Sequence, residues 1–175
     1  MSEDRLNLDD LTLHDKAVLA TRNILSAHGF NVRYTVRGRK TERIRVTGDS
    51  SNVYEPDIIA ERGLFTLVVD LRTSPQRGAR REPNGSIEDT SRQIDRYAVQ
   101  FLKAELDDLV VSLHGPHGLL VTPFGIKEDA RDLANHFAIY VMILPEDKIN
   151  EIIRLDIYSQ RNRIMDIAKS CGIAF

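Results

Sequence analysis

The sequence predicts an α/β fold, a mixed β-sheet flanked by helices. Three observations carry that expectation. Apolar residues recur at helical spacing in four separated stretches, most clearly at Ile126, Ala130, Leu133, Ala134 and Phe137. Between those stretches lie short runs of Ile, Leu and Val, as strands require. Two of the runs are separated only by a turn around Arg62 and Gly63, so the sheet should open with an antiparallel hairpin before helices and strands alternate.

The elements follow in order. Thr12 with Asp15 forms a T-x-x-D capping box, and Ala17, Ala20, Thr21, Ile24 and Ala27 continue as a helix that Gly29 stops. Phe30, Val32, Tyr34 and Val36 alternate with polar residues as a half-buried strand, and Arg43 to Val46 is a candidate return arm. Gly48 to Asn52 is turn-rich. Val53–Glu61 and Phe65–Arg72 are expected as the hairpin strands. Ser86 and Asp89 offer a second capping box, opening a helix through about Leu106 with Ile94, Tyr97, Ala98, Phe101 and Leu102 on its buried face. Leu109–Leu113, Gly118–Val121 and Ile139–Leu144 read as strands. Pro145 opens a long C-terminal helix over 146–170.

Composition narrows the class. The 175 residues are 42% hydrophobic and 29% charged, values of a folded globular chain, enough for one domain with a core over about 12–144. The longest apolar run, Ala138 to Leu144, is too short for a bilayer span, and the first residues carry no apolar leader, so no membrane partner and a cytoplasmic location are expected. A single cysteine, Cys171, excludes an intrachain disulfide and a cysteine-rich zinc site. The net charge is −2, but the arginines are clustered. Arg37, Arg39 and Lys40 fall in one basic block and Arg77, Arg80 and Arg81 in another, either a local nucleic-acid-binding surface or two solvated loops.

The chemistry concentrates in the hairpin. Pro56-Asp57 lies on one strand and Asp70-Leu71-Arg72 ends the other. Side chains alternate along a strand, so Asp70 and Arg72 share a face, and the short turn can set Asp57 beside Asp70. Two adjacent carboxylates repel unless a divalent cation lies between them. Magnesium accepts one or two carboxylates and keeps several waters. Such an ion polarises a phosphodiester and activates water, while a cationic side chain nearby stabilises developing charge.

Pro-Asp, a short hairpin, then acid-x-cation resembles the motif of the PD-(D/E)xK nuclease superfamily, with Asp57 and Asp70 thirteen positions apart. Gln93-Ile94-Asp95-Arg96-Tyr97 is similar to the Q-x3-Y signature of RecB-like nucleases, and Leu119 to Met142 to the strand-helix-strand tail of Mrr-like and junction-resolving nucleases. The resemblance implies a restriction-endonuclease-like fold and a Mg2+ (or Mn2+)-dependent deoxyribonuclease. Its implied catalytic residues are Asp57, Asp70, Arg72, Gln93 and Tyr97. Its metal ligands would be Asp57, Asp70 and, from the early helix, His14; Asp15 is an alternative already explained by capping. DNA is the implied substrate, with two sites for two strands and so a homodimer, for which the apolar C-terminal helix is the expected contact. One departure stands out: the motif's lysine is Arg72, which keeps the charge but cannot shuttle a proton. If that lysine acts electrostatically, arginine suffices; if it activates water, the fold binds nucleic acid or a protein partner without cleaving.

Overall fold

A computed structural model describes residues 8–36, 43–74 and 92–173. After one turn of 3-10 helix, α1 spans Leu13–Ala27. Its N-cap Thr12 accepts from the Asp15 N–H at 3.2 Å, as the T-x-x-D pattern requires. Gly29 leaves the helix at φ +84°, a left-handed conformation that suits glycine. Strands β1 (Asn31–Tyr34), β2 (Val46–Thr47), β3 (Val53–Tyr54), β4 (Ile58–Arg62) and β5 (Phe65–Leu71) follow. Then come α2 (Arg96–Asp108), β6 (His117–Thr122), α3 (Glu128–His136), β7 (Tyr140–Ile143), α4 (Glu146–Ile152) and α5 (Arg161–Ser170).

The central sheet has the order β1-β4-β5-β6-β7. β1, β4 and β5 pair antiparallel, while β5, β6 and β7 run parallel, joined through α2 and α3. This is the α/β class the sequence predicts, a mixed five-stranded sheet flanked by helices. Both sheet faces are covered. Leu67 and Val69 pack with α1, α4 and α5, whereas Val68 and Leu120 pack with α2 and α3. Alternation along β5 therefore separates two cores. Gly118 lets α2 approach β6 closely: a Cβ there would lie 2.8 Å from Leu106 Cδ1 and 2.9 Å from Leu102 Cδ2.

Several expected elements differ. Val46 and Thr47 pair with β3 rather than returning along β1, whose partner in the sheet is β4. The run from Val53 to Glu61 is two strands, interrupted at Glu55, Pro56 and Asp57; proline has no ladder N–H to give. Leu109–Leu113 is a series of turns, with only Leu109 fully buried and Val110 and Val111 exposed. Among the described residues the helix before β6 begins at Arg96, because Asp95 caps it by accepting from the Ala98 N–H at 3.1 Å. Ser86 and Asp89 lie outside the described residues. Helix α2 buries Ala98, Val99, Leu102 and Leu106, leaving Tyr97 and Phe101 exposed.

The expected helix over 146–170 is two helices. Asp156 Oδ1 accepts from the Tyr158 and Ser159 N–H groups at 2.9 and 2.8 Å, an Asx turn that diverts the chain between them. Ile149, Ile152, Ile164 and Ala168 are buried in the core shared with α1. Their apolarity is thus used within the chain, which removes the reason for expecting a homodimer contact there. No helix among the described residues is long and apolar enough to cross a membrane.

The two-sided burial of β5 predicts a steep contrast within one hairpin. Leu67→Ala, in the core, should cost about 2–5 kcal/mol, whereas Leu64→Ala, at the exposed turn, should stay within about 0.5 kcal/mol. Chemical denaturation of both variants checks this.

Candidate functional site

Asp57 sits one residue before β4, and its neighbours fix it from two strands. Its backbone carbonyl accepts from the Thr35 N–H at 3.1 Å beside β1. Its carboxylate Oδ2 accepts from the Leu71 N–H at 3.0 Å at the end of β5. The side chain is thereby folded onto the Asp70–Leu71 peptide, with 9% of the residue exposed. A buried charge needs such partners. Ile58 pairs with Val69, so one further step along the same register brings Asp57 opposite Asp70.

Asp70 ends β5 on the α2 side, and Arg72 returns to it: Nη2 lies 2.6 Å from Asp70 Oδ2. The Arg72 N–H also donates to the Val121 carbonyl at 2.8 Å, extending the β5–β6 ladder past the strand end. Burial pushes the Asp70 carboxyl above its usual range; Arg72 pulls it down and the charge of Asp57 pushes it further up. Desolvation wins over the guanidinium. The charge of Asp57 is thus felt at Asp70 across the hairpin.

His14, on the first turn of α1, reaches the same place. Its Nε2 is 3.1 Å from Asp57 Oδ1 and its Nδ1 3.1 Å from Thr73 Oγ1. Both ring nitrogens are engaged, so in this arrangement His14 braces Asp57 against the residue after Arg72. Asp15 points elsewhere in role: it is buried and belongs to the α1 cap. Glu55, two residues before Asp57, is held by Arg43 Nη1 and Arg45 Nε at 3.1 Å each, which keep its carboxyl below the usual range. It lines a neighbouring cavity with Asp70 and Arg72, its charge already met by the two arginines.

Gln93 and Tyr97 do not share a helix face, because Asp95 caps α2 between them. Gln93 is held instead by a short parallel bridge of Ile94 to Ile126 and packs over Gly125. Both residues nevertheless line one cavity of about 580 Å3, together with His14, Asp70, Arg72 and Arg92. The structure thus brings Asp57, Asp70, Arg72, His14, Gln93 and Tyr97 to one end of the sheet. Arg37, Arg39, Lys40, Arg77, Arg80 and Arg81 lie outside the described residues.

One acid was not anticipated as part of this group. Glu105 on α2 lines an adjoining cavity with Asp70, Arg72 and Phe101. Burial first, then the charges of Asp70 and Asp57, push its carboxyl from 4.5 to about 7, against the pull of Arg72. Its Oε1 is buried with no hydrogen-bond partner among the described residues, and so is Arg72 Nε. Its position follows helical spacing, three residues after Leu102 and four after Phe101. That relation was visible in the sequence, but the neighbouring Asp107 and Asp108 make the segment resemble a solvated acidic surface.

The donor set suits a hard divalent cation. Asp57 and Asp70 supply carboxylate oxygens, and the orphaned Glu105 oxygen with the raised Asp70 and Glu105 carboxyls marks an excess of negative charge that a cation relieves. Among the described residues no three His, Cys, Asp or Glu side chains gather closely enough to form a metal cage. A cation would therefore rest on the two aspartates and keep most of its water.

Glu105 has a pH signature. Between pH 4.5 and about 7 the folded chain keeps a proton on Glu105 that the unfolded chain has released, so its contribution to stability is lost as pH rises through that window. In chelator, the Tm of Glu105→Gln relative to the parent should rise across the same interval. A difference independent of pH would show an ordinary surface carboxylate.

No protein-family model matches the sequence, and no curated protein matches it. Among solved structures, the chain is similar to the crystal structure of a protein of unknown function, AF1548. The two align with a TM-score of 0.55 and 14% sequence identity, over 93% of this chain and 90% of that one. At that identity the likeness establishes a shared fold.

Proposed function

We propose that this chain is a cytoplasmic, metal-dependent nuclease that hydrolyses DNA phosphodiester bonds at the Asp57–Asp70 site. The observation that carries the reading is the seating of the Asp57 carboxylate on the Leu71 N–H, which holds that acid against the residue that follows Asp70, beside the Asp70–Arg72 ion pair. Structural acids usually end in an ion pair that neutralises them. Here burial and mutual repulsion leave Asp70 and Glu105 with raised carboxyls despite Arg72, the electrostatic pattern of functional sites.

In this reading Asp57 and Asp70 hold Mg2+ or Mn2+. The bound ion supplies Lewis acidity to the phosphate and lowers the pKa of water. His14 keeps Asp57 oriented through its contacts with Oδ1 and with Thr73. Arg72 meets the charge that develops on the phosphoryl oxygens. Gln93 and Tyr97 contact the substrate from the far wall of the cavity. The polarity of the cleft and the PD-(D/E)xK resemblance together favour a phosphodiester substrate, and that resemblance favours DNA.

One observation favours a second reading, a nuclease fold that binds without cleaving. The Arg72 guanidinium occupies Asp70 Oδ2, and arginine cannot relay a proton. Purified protein with supercoiled, linear, single-stranded and branched DNA in Mg2+ or Mn2+ separates the two. Cleavage that falls at least about a hundredfold in both Asp57→Asn and Asp70→Asn is the expected result; activity surviving both removes the mechanism. Arg72→Lys should leave an active parent within about tenfold, whereas a large gain from an inert parent establishes the binding-only reading.

A further inference from the structure

Among the described residues the aromatic pair on α2 has no place in the core. Tyr97 and Phe101 are one helical turn apart, and each is 70% exposed. The helix turns Ala98, Val99 and Leu102 to the sheet instead, so neither ring is needed to close the core. Two large exposed side chains on successive turns cost solvation and return nothing to folding.

Their position is specific. Both rings border the cavity that contains Asp70, Arg72 and Gln93, and Phe101 also borders the adjoining one that contains Glu105. The cavity wall thus sets the two rings beside two arginines, Arg72 and Arg92, and the amide of Gln93, with the carboxylates of Asp70 and Asp95 in the same lining. Its volume of about 580 Å3 lies within the range of small-ligand sites. Arginines there are complementary to phosphate, and flat rings are complementary to the faces of nucleobases. A duplex conceals those faces in its stack and offers only edges and backbone. An unpaired strand exposes both the faces and the phosphates.

We propose that Tyr97 and Phe101 form a stacking platform for unpaired nucleotides, so that the cleft takes single-stranded or locally melted nucleic acid in preference to duplex. The proposal deepens the nuclease reading by naming its substrate class, and it rests on that reading only for the phosphate beside the platform. Bases stacked on the two rings set the strand along α2, with its backbone over Arg72. Stacking needs the π-face and not mere apolarity, which separates this occupant from an apolar protein partner.

The test is fluorescence anisotropy of the full chain with a short labelled single strand and with the same strand in a duplex, in chelator so that nothing is cut. The parent should prefer the single strand. Tyr97→Leu/Phe101→Leu, which keeps an apolar surface, should weaken single-strand binding by about tenfold or more and leave duplex binding unchanged. Tyr97→Phe/Phe101→Tyr should restore the preference. A chain that shows the preference but never cleaves would defeat the nuclease reading alone. Equal affinity for the two DNAs, or a leucine variant that binds the single strand as the parent does, overturns the platform. A leucine variant that instead changes sedimentation from a dimer to a monomer identifies the face as a contact between copies, which also overturns it. Circular dichroism verifies that each variant is folded.

Discussion

The hydrogen bond from the Leu71 N–H to the Asp57 carboxylate organises this end of the molecule. Pro56 interrupts the ladder just where β4 would otherwise continue alongside β5, leaving the Leu71 amide without a backbone acceptor from that direction. The Asp57 side chain takes that role. A charge-assisted bond to a backbone amide is stronger than a neutral one, and an unmade one would strand both a buried donor and a buried charge. The same contact therefore completes the sheet and aims an acid at the cleft. His14 then binds the other oxygen, so α1 is registered against the hairpin through the same carboxylate.

Electrostatics at the site are settled by burial more than by pairing. The Arg72–Asp70 ion pair is short, and it pulls the Asp70 carboxyl down. Desolvation outweighs it, and the Asp70 carboxyl stays raised. Glu105 feels the same field from the opposite wall. Asp70 and Glu105 share one cavity with Arg72 and feel the charge of Asp57 nearby, a tension that an added cation or a proton releases.

Much of the fold was legible from local chemistry. The Thr12–Asp15 cap, the break at Gly29, the hairpin of β4 and β5 and the stripe of α3 depend on residues near one another in sequence, and each forms as expected. Misreadings arose where two local signals compete. Gln93 and Tyr97 have helical spacing, yet Asp95 between them is the stronger signal, because its carboxylate satisfies an amide that the helix start leaves open. In the C-terminal segment the apolar periodicity concealed the turn built on Asp156. The pairing of Asp57 with Asp70 was readable because a hairpin makes it local. Glu105 was not, since its role depends on how closely α2 lies over the sheet, a tertiary distance that no spacing encodes.

That closeness originates at Gly118, which pairs with Val68, two residues before Asp70. With no side chain on β6 at that point, Leu102 and Leu106 rest almost on the backbone, and the whole helix inherits their height. The other end of α2 is fastened too: Asp108 accepts from the Ser50 N–H and hydroxyl and from Tyr54 at 2.6 to 2.8 Å, tying the helix terminus to the β2–β3 turn. The gap between Glu105 and Asp70 is therefore gauged by backbone and anchorage, like the jaw of a fixed spanner. Whatever enters must conform to the opening, and a single methyl group at position 118 would press on Leu102, which lines it.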